Sequence, residues 1–241
     1  MFNVLMLAKA RVGLSREAFI DAHETRHAPL LAERAPELRH YARRYLTPVG
    51  GPTADATALP YDVMIELGFD SPTEFSVLAR RLAEGDPDDE IARSRTDLFE
   101  PGSAATAEVD EHITVTPPAG TDTDRMFQAV TFLRQRPDMS RAEFIDYYET
   151  RHAVLAAGLL PDARHYARRY LTPIPDPATG RTRTIRHDAV NELWFDSADA
   201  FAATMSELSR PETLAQITED EKQLFDREAT RLVTIELHRT R

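Results

Sequence analysis

The chain has 241 residues, 42% of them apolar, and a formal charge of −11 at neutral pH. That length allows one or two ordinary cores, no run approaches the roughly 18 apolar residues of a membrane helix, and the acidic balance argues against nucleic acid, whose phosphates are held by a basic face. Without cysteine there is no disulfide framework, thiolate metal site or thiol nucleophile, and Met1-Phe2-Asn3-Val4 lacks the basic start of a signal peptide, so a cytoplasmic protein is expected.

Phe2 to Ala8 is a short apolar run and reads as a first strand. Ser15 is placed to cap a helix whose apolar stripe is Phe19, Ile20, His23, His27 and Leu30, at helical spacing. Leu38 to Val49 alternates as a second strand before a loop rich in Gly, Pro, Asp and Thr, and Asp62 to Ser71 is a third strand running into a second helix capped by Ser71-Pro72-Thr73-Glu74. Ala105 to Val115 is a last strand, and Thr116 to Asp124 is a linker of Pro, Gly and polar residues.

The same order then returns. Phe127 to Leu133, the capping box Ser140 with Glu143, the stripe Phe144, Ile145, Tyr148, His152 and Leu155, the strands Ala163 to Ile174 and Asp188 to Ser197, and Thr230 to His238 repeat the first half. Glu24-Thr25-Arg26-His27-Ala28 recurs as Glu149-Thr150-Arg151-His152-Ala153, and Arg39-His40-Tyr41-Ala42-Arg43-Arg44-Tyr45 as Arg164-His165-Tyr166-Ala167-Arg168-Arg169-Tyr170. A period this long is not that of a solenoid, so each copy carries its own core. The units expected are residues 1–115 and 126–241, joined by 116–125. Each βαββαβ unit has the α+β, ferredoxin-like order, with both helices on one face of an antiparallel sheet. Apolar residues on both alternations of the third strands require the second face to be covered too. The sheet of the other copy is the cheapest cover, which predicts two sheets around an internal cavity and a monomer that is an internal pseudo-dimer.

The run from the first strand through Tyr-Glu-Thr-Arg-His-Ala to Glu-Leu-Trp-Phe-Asp-Ser resembles the EthD family of the dimeric α/β-barrel superfamily. The residues that carry the resemblance are Phe144, Tyr148, Glu149, His152, Ala153, Arg164, Tyr166, Asp188 and Glu192 to Ser197. Copy one departs at His23, where copy two has Tyr148, and at Gly68, where it has Trp194. The resemblance implies a barrel hosting a small aromatic or polyketide molecule. Its relatives include dehydratases, cyclases, isomerases and cofactor-independent anthrone oxygenases, which narrows substrate class more than reaction.

Candidate residues follow from the repeats. His27 and His152 sit mid-stripe, where an imidazole is either bonded internally as a core histidine or faces a cavity as a proton carrier. Strand alternation puts Tyr41, Arg43 and Tyr45 on one face, with Arg39, and Tyr166, Arg168 and Tyr170 on the matching one, with Arg164. Each row either lines a wet cavity or blunts an edge. His40 and His165 alternate to the other face, expected to meet the helices. Glu66 and Glu192 are read as buried general bases or as salt partners of arginine, the second being favoured. His23, Tyr148 and Trp194 complete the expected binding wall. His23-Glu24-Thr25-Arg26-His27 spells H-E-x-x-H, but Tyr148 in the repeat breaks the pattern and no third ligand is evident, so no metal is expected. No Gly-rich phosphate cradle suggests a nucleotide, and no cofactor is expected. The reading is an acid–base enzyme, a dehydratase, lyase or cyclase. Its alternatives are a cofactor-independent monooxygenase and a non-catalytic binding protein. The N-terminal copy is expected to have the roomier cavity and to carry more of the chemistry.

Overall fold

Each repeat opens on its apolar run as a strand, β1 at Phe2–Ala8 and β5 at Phe127–Leu133. In the computed structural model, which describes residues 1–52, 59–86, 89–177 and 179–240, the first repeat continues through α1 (Arg16–Ala22), α2 (Ala28–Arg34), β2 (His40–Val49), β3 (Val63–Phe69), α3 (Pro72–Glu84), α4 (Glu90–Leu98) and β4 (Ala105–Val115). The second follows with α5 (Arg141–Tyr147), α6 (Ala153–Leu159), β6 (His165–Pro173), β7 (Ala189–Phe195), α7 (Ala198–Leu208), α8 (Pro211–Glu221) and β8 (Arg231–Arg239). Where one second helix was expected per copy there are two. Residues 53–58, in the loop between β2 and β3, fall outside the described residues.

The helix starts follow the capping residues. Ser140 accepts from the Glu143 N–H while the Glu143 carboxylate accepts from the Ser140 N–H, and Ser15, Ser71 and Ser197 accept from the backbone three residues on. Between α1 and α2, and between α5 and α6, the chain does not break. It widens for one π-helical turn, at His23–His27 and at Tyr148–His152, each closed by the N–H of the following alanine on the carbonyl of the first residue of the turn.

The eight strands close into one antiparallel barrel in the order β1-β3-β2-β8-β5-β7-β6-β4, with β4 returning to β1. The two last strands do the joining. β4 pairs with its own β1 and with β6 of the other repeat, and β8 with its own β5 and with β2. Leu5, Leu46 and Met64 of one repeat meet Phe132, Leu171 and Val190 of the other in a single cluster inside the barrel. The interior expected to be a cavity is therefore filled by side chains. The helices lie outside, over Val4, Tyr41, Val63 and Phe69 in the first repeat and over Tyr166, Leu193 and Phe195 in the second. No helix among the described residues is long and apolar enough to cross a membrane.

Candidate functional site

The Arg and Tyr rows share a face, as the alternation required, but it is the helix face and not the barrel lumen. Tyr41, Arg43 and Tyr45 lie buried beneath the π turn of the first repeat, as Tyr166, Arg168 and Tyr170 do beneath the second. The physical reason is Glu24, carried on the π turn. Its carboxylate accepts from Arg43 Nε at 2.9 Å and from the Arg43 Nη2 group, and from the Tyr45 hydroxyl at 2.5 Å. Glu149 repeats this with Arg168 Nε at 2.9 Å, Arg168 Nη2 at 2.5 Å and Tyr170 at 2.6 Å. A fork that would be poor filler in an apolar core is thus satisfied bidentately. Each cluster is completed from the other repeat: Arg43 Nη1 donates to Thr240 Oγ1 at 2.6 Å and His238 Nδ1 lies 3.5 Å from Glu24, while Arg168 donates to Thr114 at 2.5 Å and His112 lies 3.5 Å from Glu149. Glu24 and Glu149 stood out in the sequence only as members of the repeated motif and not as site residues, and the pairs His112/His238 and Thr114/Thr240 were not singled out, although His-x-Thr recurs at the same place in both repeats. Arg39 and Arg164 point away, paired at the surface with Asp70 and Asp196.

His40 and His165, expected to meet the helices, turn into the barrel with Arg44, Arg169, Glu66, Glu192 and Trp194. There Arg44 pairs with Glu66 at 2.9 Å and with Glu192, and Arg169 pairs with Glu192 at 3.1 Å and with Glu66. Burial alone would push the Glu66 carboxyl up, but the Arg169 and Arg44 guanidinium groups hold it well below the carboxylate range. Trp194 donates to Glu192 at 2.5 Å and stacks on His165 with ring centroids 4.1 Å apart. Glu66 and Glu192 are salt partners of arginine, and with Trp194 they are separated by the sheet from His27 and His152.

His27 and His152 do face cavities, between sheet and helices. His27 lines one of about 430 Å³ with Leu31, Phe69, Leu78, Ile91 and Phe99. His152 lines one of about 80 Å³ with Leu160, Tyr166, Asn191 and Phe225. The first falls in the size range of small-molecule sites, and the second does not. Tyr41, Arg43 and Tyr45 lie behind His27 and outside the wall of the larger cavity.

The second helices of the two repeats set the two histidines differently. Ser94 of α4 donates to the Ile91 carbonyl at 2.9 Å, so its oxygen accepts from His27 Nδ1 at 2.8 Å, and Nε2 is left as an unprotonated acceptor without a protein partner among the described residues. Burial first, then the charges of Arg95 and Arg43, lower the His27 pKa to about 4. At the corresponding place in α8, Asp220 lies 2.5 Å from His152 Nδ1 and also accepts from Tyr147 at 3.1 Å. Neither Ser94 nor Asp220 carried a sequence signal, because the second helices match poorly between repeats. His23 is fully buried against Phe19, Tyr45 and Phe99, with Nε2 at 3.4 Å from the Tyr41 hydroxyl, and burial followed by His27 lowers its pKa well below the usual value. Tyr148 takes its place in copy two and accepts from Asn191. Among the described residues no three His, Cys, Asp or Glu side chains converge to hold a metal ion.

The family model for the EthD domain matches residues 11–83 and 136–228, one segment in each repeat. Among solved structures, an anthrone oxidase-like protein superposes with a TM-score of 0.55 at 12% identity, covering 99% of this chain and 92% of its own. A provisionally named monooxygenase of Fusobacterium nucleatum gives 0.50 at 11% identity, covering 98% and 91%. At such identities the likeness shows the fold alone. No curated protein matches the sequence. With the match covering more than half of the chain and including both π turns, the chain belongs to the EthD domain family.

Proposed function

We propose that this protein is an oxidoreductase of the cofactor-independent oxygenase type, acting on a small aromatic or polyketide-type molecule held in the N-terminal cavity, with His27 Nε2 as the base. The observation that carries the proposal is the orientation of His27. Its Nδ1–H is anchored on Ser94, its Nε2 is free, and it lines an apolar cavity of about 430 Å³.

In that site a methylene flanked by aryl rings, and activated through them by a carbonyl, gives its proton to Nε2. The electron pair stays on carbon and forms the new C–O bond with O₂. The resulting peroxide takes a proton, and loss of the second C–H proton with cleavage of O–O leaves a carbonyl and one water. The imidazolium formed is stabilised by the anion it creates in the same water-poor cavity. Dehydration, the other reading, needs an acid to protonate a departing hydroxyl. Burial keeps His27 neutral, so it enters the reaction as a base, and the cavity places no separate acid beside its Nε2 among the described residues. The fold likeness to an anthrone oxidase-like protein agrees with this reading without carrying it.

Oxygen consumption with anthrone as probe tests it. The expected result is uptake above the solution rate, equimolar with the quinone formed, and lowered about 100-fold or more in His27→Ala with folding retained. Uptake no faster than in buffer, or unchanged in His27→Ala, overturns the proposal.

A further inference from the structure

The mouth of the N-terminal cavity is built by the other repeat. The loop after β6 crosses over, and Ile174, Asp176, Arg181 and Arg183 join Arg95 and Glu100 in its lining. In a chain of net charge −11, whose arginines are largely paired with carboxylates, this rim is unusual. Arg181 and Arg183 have no carboxylate partner among the described residues, and neither has Arg95. The two acids of the rim are already occupied by backbone donors: Glu100 accepts from the Val12 N–H at 3.2 Å and Asp176 from the Thr179 N–H at 2.9 Å.

Two further features belong to this rim. Gly102, at φ +74°, leaves room for the Arg183 guanidinium, whose Nη2 would stand only 3.0 Å from a Cβ added there. A side chain at position 102 would both strain the backbone and displace the arginine. The cationic character is also confined to one copy. Glu221 stands in α8 where α4 has Arg95, and Gly51 and Pro52, the residues of the β2–β3 loop that line the smaller cavity, carry no charge.

We propose that the substrate is an aromatic carboxylate, its ring in the apolar cavity against His27 and its carboxylate held at the mouth by the forks of Arg181 and Arg183, with Arg95 between mouth and base. This rests on the assignment of the N-terminal cavity as the active site. Flat guanidinium forks match a carboxylate bidentately, which a lysine rim would not, and anchoring at the mouth fixes which ring carbon meets Nε2.

Calorimetric binding of 2-naphthoate and of the neutral 2-naphthalenemethanol to the full chain tests this at low and high salt. The carboxylate is expected to bind about tenfold tighter, a difference of about 1.4 kcal/mol. The preference should shrink with salt and vanish in Arg181→Ala/Arg183→Ala, which leaves alcohol binding within about twofold because both residues are exposed and outside the core. Equal affinities in the parent protein, binding of neither compound, or a preference that survives the double substitution overturns the proposal. Oxygen uptake plays no part in this readout. Preference without oxidation therefore refutes only the reaction, and oxidation without preference refutes only the rim.

Discussion

His27 and His152 occupy the same position in a repeated motif, yet their Nδ1 atoms meet different partners, Ser94 in one repeat and Asp220 in the other. At His27 the hydroxyl is already committed to the Ile91 carbonyl and gives an imidazolium no counter-charge. His27 has a folded pKa of about 4, depressed by burial and then by Arg95 and Arg43. Between the unfolded value near 6.5 and about 4 the unfolded chain binds the extra proton, so the contribution of neutral burial is complete above about pH 6.5 and is lost as pH falls to 4. That loss is roughly 3 kcal/mol for His27, and His187, also held near 4 mainly by burial, adds a loss of the same sign. Urea melts from pH 7 down to about 4 should steepen accordingly, and His27→Phe should flatten part of that slope. An identical slope in the variant would show that His27 does not titrate with unfolding. The same depression predicts that the acidic limb of kcat/KM for the free enzyme lies near pH 4 to 5 and not near 6.5. Ser94→Asp should move it upward, and a limb that stays in place would remove Ser94 as the group that sets His27.

At the scale of elements, the unit that holds each helix to the barrel is the carboxylate on its π turn. Glu24 satisfies Arg43, which is almost fully buried, and binds Tyr45 as well. Removing it leaves a buried guanidinium without its counter-ion. Glu24→Ala should therefore cost about 3 kcal/mol or more by denaturant titration, against at most about 1 kcal/mol for His238→Ala, whose contact is longer and partly exposed. Equal costs would mean that the fork on Arg43 is not what holds the helix. The strands, the first helices and the repeat were legible in the sequence because period, caps and self-similarity each have a local signal. Which alternation of β2 and β6 faces inward was not. A period of two defines two faces without saying which one a barrel will enclose. Tyr41 and Arg43 looked like cavity lining because a lone strand hides their partner Glu24, which lies on another element. Arg44 and Arg169, adjacent in sequence to residues that were singled out, proved to be the barrel's own charges, neutralised by Glu66 and Glu192 from β3 and β7. The π turns had no signal either, since Tyr-Glu-Thr-Arg-His reads as ordinary helix until the following alanine bonds back five residues.

At the scale of the molecule, the two repeats interlock through their last strands and do not merely face each other. β8 lies between β5 and β2, and β4 between β1 and β6, so both seams are hydrogen-bonded ladders and no sheet edge stays open. The lumen they enclose is made jointly, with apolar residues from both repeats and a network of ion pairs in which Arg44 with Glu192 and Arg169 with Glu66 cross between repeats. Neither half could bury its lumen face alone, and a half left alone would expose an apolar sheet with a buried-type arginine upon it. The linker makes that association intramolecular, which replaces a concentration-dependent dimer by a closed chain. The full chain is expected to be a monomer by light scattering at dilute concentration. Residues 1–115 and 126–241 expressed separately should each lack a stable monomeric fold, and expressed together they should form a 1:1 complex by native mass spectrometry, held by the β2–β8 and β4–β6 ladders. A cooperatively unfolding monomer of either half would show that the lumen is not what each repeat needs from the other. A full chain that stays dimeric on dilution would show that some surface outside the barrel still has to be covered.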